Sequence, residues 1–158
     1  NVGVASCLTD LPTGSLVIAS EFIQHDVDTT AVGDAIGLVS TVNRVEFPTW
    51  QPETCLNVLK ELGFCATTGR VATGDWFAVK GDRANFIRDT FQPLLLEMEG
   101  GAVAQVCLRN GVNFASLKSI SDHLFAENQV EEYANFGQAL KNLGAAVLPL
   151  ARVLRDRF

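Results

Sequence analysis

The sequence predicts an α/β protein with a mostly parallel sheet carrying helices on its faces. Three observations point there. Short β-branched, apolar runs alternate along the chain with segments of helical period. Glycine and proline punctuate the junctions between them. The length of 158 residues, with 47% hydrophobic and 19% charged, suits one globular domain with a sizeable core.

The elements follow in order. Val2, Val4, Ala5, Cys7 and Leu8 read as a buried strand end. After the turn-forming Leu-Pro-Thr-Gly, residues 14–22 (GSLVIASEF) form a strand. Residues 25–50 mix Gly, Asp, Thr and Pro without a sustained period, giving a long excursion with short strand pieces. Pro52 and Glu53 open a helix whose face holds Leu56 and Leu59 and which Gly63 stops. Residues 65–74 are the next strand. Asp82 is the expected N-cap of a helix with Phe86, Ile87 and Thr90, ended near Pro93. Residues 94–96 make a short buried strand. Ala102, Val103, Val106 and Cys107 recur at helical spacing up to Gly111. Residues 113–121 are again strand. From about Val130 to the end, Phe136, Leu140, Leu143, Val147, Leu150 and Leu154 predict one long amphipathic helix bent at Pro149.

Composition excludes several functions. A net charge of -6 with 12 scattered basic residues argues against a phosphate-backbone binder, so no nucleic-acid partner is expected. The four cysteines, Cys7, Cys55, Cys65 and Cys107, lack CxxC spacing and read as buried thiols in a reducing, cytoplasmic setting. No run reaches the ~18 apolar residues of a membrane span. The chain opens on the apolar NVGVASCL rather than on an initiating methionine or signal peptide. It is therefore expected to be the later part of a larger domain or to pair with another chain.

In open α/β sheets, ligands bind outside the carboxyl ends of the strands. Three strand ends carry Asp75, Glu97, Glu99 and Asp122. Each alone reads most simply as a helix cap or first-turn acid stabilised by the helix dipole. Four at one edge, beside Trp76 and Phe77, point to a site.

VATGDWFAV, LLLEMEGGAVAQV and LKSISD, in this order and spacing, together with GSLVIASEFIQHDVDTTAVG, resemble the purine nucleoside phosphorylase and uridine phosphorylase superfamily. Within it they are most similar to the 5'-methylthioadenosine/S-adenosylhomocysteine nucleosidases. The resemblance implies a three-layer sandwich with a mixed, mostly parallel central sheet, residues 1–158 being the C-terminal two thirds of one such domain. It implies hydrolysis of an N-glycosidic bond with release of adenine, without a cofactor or a metal. Asp122 resembles the general acid that protonates N7, holding its proton until the transition state, with Ser121 orienting it. Glu99 resembles the carboxylate that grips the ribose hydroxyls. Met98 would lie under the sugar, Glu97 would order water or neighbouring groups, Phe77 would stack on adenine, and the backbone of Ala78 would read the base edge.

This sequence departs from the family pattern in several places. Gly3-Val4-Ala5-Ser6-Cys7 stands where the family has a Gly-Ser-Ala-Gly-Gly turn, so Ala5 and Ser6 are expected at the substrate while phosphate would be poorly held. Lys118 replaces an arginine that helps to place the attacking water. Val32 replaces an aromatic that reaches the partner's 5'-substituent pocket in the family homodimer. The family's water-activating glutamate lies in an early portion that these residues do not contain. His25 with Asp26 and Asp28 is a weak metal set, and His123 is expected to be a solvated helix-start residue. A nucleoside phosphorylase and a non-catalytic nucleoside-binding or storage protein remain as alternatives.

Overall fold

The computed structural model describes residues 1–134 and 136–158. Its strands are β1 (Val2–Cys7), β2 (Leu16–Gln24), β3 (Glu46–Pro48), β4 (Ala66–Thr73), β5 (Leu95–Glu97) and β6 (Leu117–His123). Its helices are α1 (Pro52–Glu61), α2 (Asp82–Phe91), α3 (Gly100–Arg109), α4 (Gln129–Ala134) and α5 (Gly137–Arg157). The six strands lie in the order β3-β2-β4-β5-β1-β6, and the start of β2 also pairs with β6, so the sheet curls back on itself. The two longest ladders, β2 with β4 and β1 with β6, are parallel. Pairings of β1 with β5 and of β2 with β3 are antiparallel. The sheet is therefore mixed.

Strand β2 is apolar without alternation because both of its faces are covered. Leu16 and Ile18 pack with Leu117 against Val58 and Leu59 of α1 and Leu143, Ala146 and Leu150 of α5. Val17, Ala19 and Phe22 face a second cluster with Leu95, Ile120 and Ala104 of α3. A third joins Ile23, Ala72 and Leu96 to Ala84, Ile87 and Phe91 of α2. The excursion after β2 carries one 3-10 turn at Thr30–Val32 and the short β3.

Several local expectations shift. Gly81 occupies the N-cap of α2, and Asp82 is instead its first-turn acid. The long C-terminal helix is two helices, with Phe136 at the N-cap of α5, and Pro149 lies inside α5. Strand β6 runs two residues beyond the expected end, which makes Asp122 a strand residue rather than a helix cap. Cys7 and Cys55 are buried, but Cys65 is exposed and Cys107 half-buried, and all four thiols are free. Among the described residues no helix is long and apolar enough to cross a membrane.

Candidate active site

A cavity of about 390 Å³ runs along β1 and is lined by Phe77, Ala78, Met98, Glu99, Ser121 and Asp122, with Ala5, Ser6, Glu97 and Lys118 in its walls. The geometry differs from a shared carboxyl edge. Strands β1 and β6 run opposite to β4 and β5. Their ends meet because β1 lies between β5 and β6, with Leu96, Ser6 and Asp122 in register across the three strands. A bulge completes the arrangement. Ala5 pairs with Ile120 and Ser6 with Asp122, leaving Ser121 as the extra residue. Two consecutive side chains, Ser121 and Asp122, thereby reach one cavity, which regular alternation would forbid.

Asp122 is buried, and each of its carboxyl oxygens has a partner. Its Oδ1 lies 2.5 Å from Ser121 Oγ, and its Oδ2 accepts from Gln129 Nε2 at 3.0 Å. Ser121 Oγ is also 3.1 Å from the Ala5 carbonyl. Phe77, 44% exposed, meets Tyr133 edge-on with centroids 5.0 Å apart. The Ala78 carbonyl accepts from Gln129 Nε2 at 2.8 Å. Met98 is 38% exposed at the cavity wall.

The two glutamates of the Glu-Met-Glu run divide their roles. Glu99 sits at the N-cap position of α3 yet makes no side-chain cap bond, so its exposed carboxylate is available to the cavity. Glu97 does the capping, accepting the Gly100 N–H at 2.8 and 2.9 Å. It also accepts from the Thr73 hydroxyl and pairs with Lys118 Nζ at 2.7 Å, both side chains being buried. Thr73 Oγ1 in turn accepts from Gly101 N at 2.9 Å. Gly100 has to be glycine, because a Cβ there would run into the Phe22 ring. Lys118, which stands where the family has a water-placing arginine, thus lies under the cavity with its charge held by Glu97. Among the described residues, Ser6 Oγ is buried without a partner.

Other expected residues fall elsewhere. Asp75 is exposed and donates its N–H to Asp26 at 2.8 Å. Asp28 accepts from Thr30, and among the described residues His25, Asp26 and Asp28 form no group that could hold a metal ion. Burial pushes the His25 pKa down, with the Asp26 charge opposing it. Residues 3–7 belong to β1 rather than to a turn. Val32 is 80% exposed.

His123 is not a solvated helix start. It ends β6, with Nδ1 2.9 Å from Glu132 and Nε2 2.7 Å from the Leu11 carbonyl. Both partners only accept, so only the protonated ring donates to both of them. Burial pulls its pKa down, but the Leu11 carbonyl and the Glu132 carboxylate outweigh that and raise it. Gln129, Glu132 and Tyr133 of α4 are the site's unforeseen contributors. No motif marks them: Gln129 meets Ala78 and Asp122, Glu132 meets His123, and Tyr133 meets Phe77.

The phosphorylase superfamily profile matches residues 1–155. The chain belongs to the phosphorylase superfamily. Within that superfamily it is 35% identical over 153 residues to the 5'-methylthioadenosine/S-adenosylhomocysteine nucleosidase of Geobacillus kaustophilus, an alignment covering 95% of this chain and 65% of that protein. Among solved structures, a futalosine hydrolase mutant of Helicobacter pylori superposes with TM-score 0.87 at 26% identity, covering 96% of this chain and 66% of that one. S-adenosylhomocysteine nucleosidase from Streptococcus pyogenes, in complex with 5-methylthiotubericidin, gives TM-score 0.86 at 28% identity, covering 98% and 66%. The chain therefore spans about two thirds of the length of the superfamily relatives it matches.

Proposed function

We propose that this chain carries the adenine-nucleoside site of an N-glycosidase that hydrolyses 5'-methylthioadenosine or S-adenosylhomocysteine and releases adenine. One observation carries the reading: Phe77, Met98, Glu99 and Asp122 line a single cavity of about 390 Å³, within the range that holds a small ligand. Adenine lies against Phe77 with its edge toward the Ala78 backbone, and the ribose lies over Met98 with its hydroxyls on Glu99. As the C1'–N9 bond breaks, its electrons pass into the purine and N7 takes the proton of Asp122. Glu99 stabilises the sugar's developing positive charge. Water adds at C1', losing its proton to a carboxylate supplied from outside these 158 residues.

Water is favoured over phosphate as the acceptor. Among the described residues Lys118 is the only lysine or arginine lining the cavity, and Glu97 holds it. A phosphate dianion would meet no available side-chain cation there. The reading includes a cytoplasmic setting, supported by four unpaired cysteines, and a homodimer whose partner completes the 5'-substituent pocket.

The test is product analysis with methylthioadenosine in phosphate buffer. Free methylthioribose and adenine from the wild type, with a loss of about 10²-fold or more in Asp122→Asn, are expected. 5-Methylthioribose 1-phosphate in place of free methylthioribose would identify a phosphorylase. Nucleoside binding without adenine release, by protein that includes the segment supplying that carboxylate, would identify a binding protein.

A further inference from the structure

Helix α4 contributes one buried polar side chain to the cavity, Gln129, which is 5% exposed. Its carboxamide nitrogen lies 2.8 Å from the Ala78 carbonyl and 3.0 Å from Asp122 Oδ2. A carbonyl only accepts, so the atom facing it is the nitrogen, and its two N–H groups serve both neighbours. Gln129 thus ties the carboxyl on β6 to the loop that carries Phe77. The short α4 is itself fixed on β6 by Glu132, which accepts the His123 N–H at 3.0 Å and pairs with its ring. Gln129 and Glu132, three residues apart on one helical face, dock onto the consecutive Asp122 and His123.

We propose that Gln129 is a positioning residue that acts through Asp122, holding its Oδ2 and strengthening that bond as the proton leaves for N7. The inference rests on the nucleosidase reading above. Before transfer the amide donates to a neutral carboxyl, and afterwards to a carboxylate. Hydrogen bonds to charged acceptors are about twice as strong as neutral ones. The contact is therefore worth more in the transition state than with bound substrate, which places its effect in kcat rather than KM.

Equilibrium binding of two adenosine analogues isolates this step without turnover. 9-Deazaadenosine carries an N7–H that pairs with ionised Asp122, as the protonated purine does. 7-Deazaadenosine has a C–H at that position and pairs with neither form. Gln129→Met, similar in size and without donors, is expected to bind 9-deazaadenosine about tenfold more weakly while 7-deazaadenosine changes less than about twofold. The second ligand also reports that the variant is folded. Gln129→Glu, which sets an oxygen against both acceptors, loses at least as much. With methylthioadenosine, Gln129→Met lowers kcat about tenfold and leaves KM within about twofold. Equal losses for both analogues, or no loss for either, overturn the inference while leaving the nucleoside site standing. A wild-type protein that binds neither analogue overturns the site itself, and this inference with it.

Discussion

Replacing Lys118 with methionine keeps most of the side chain's length and removes its charge. The partner left behind, Glu97, is buried, and its ion pair with Lys118 spans 2.7 Å. Breaking a buried pair by removing one member costs about 3–5 kcal/mol, because the remaining charge has no water to turn to. Glu97 keeps the Gly100 N–H and the Thr73 hydroxyl, which places the cost at the lower end, about 3 kcal/mol. For a domain of this size that corresponds to a fall in Tm of about 6–12 °C. Glu97→Gln alone strands a buried ammonium and is expected to be similarly harmful. The double variant Lys118→Met with Glu97→Gln removes both charges and recovers much of the loss, giving a coupling of about 2 kcal/mol or more in the cycle. Denaturant unfolding of the four proteins, with scanning calorimetry, measures it. Additive single effects, or a Lys118→Met protein within about 1 kcal/mol of wild type, would refute the reasoning.

Three further outcomes follow from the same contacts. Gly100→Ala forces a Cβ into the Phe22 ring where α3 begins, and is expected to destabilise by about 1–3 kcal/mol in denaturant unfolding. Glu99→Gln removes the charge of the proposed sugar clamp while leaving the α3 cap intact, since Glu97 makes that cap; kcat/KM for methylthioadenosine is expected to fall about 10- to 100-fold with Tm unchanged. The His123 pKa is raised above its ordinary 6.5, so the contribution of its pairing is fully present below that pH and is lost as the pH climbs through the raised value. Stability measured against pH should therefore show Glu132→Gln departing most from wild type below about pH 6.5 and converging with it at alkaline pH.

The elements whose signals are local were legible in the sequence. Pro52 and the Leu56–Leu59 face mark α1, and the apolar run from Leu16 to Ala19 marks a strand covered on both sides. Closure of the sheet through β2 and β6 was not legible, because it depends on two strands about a hundred residues apart and on no turn between them. The split between α4 and α5 was hidden by an apolar period that continues across it. At the site, Phe77, Ala78, Met98, Glu99, Ser121 and Asp122 were picked from motif residues, and one cavity brings them together. Glu97 and Lys118 both line the cavity, and each is the other's partner. That pairing crosses β1, and spacing along the chain carries no trace of it. Gln129 belongs to no motif, being a polar residue on a helix whose partners are a loop carbonyl and a strand carboxylate.

The most direct measurement is a crystal structure of the protein soaked with 9-deazaadenosine. The purine ring is expected against Phe77, its N7 within about 3 Å of an Asp122 carboxyl oxygen, and the ribose hydroxyls on Glu99. A ligand bound outside this cavity, or inside it with the sugar rather than the purine at Asp122, would contradict it.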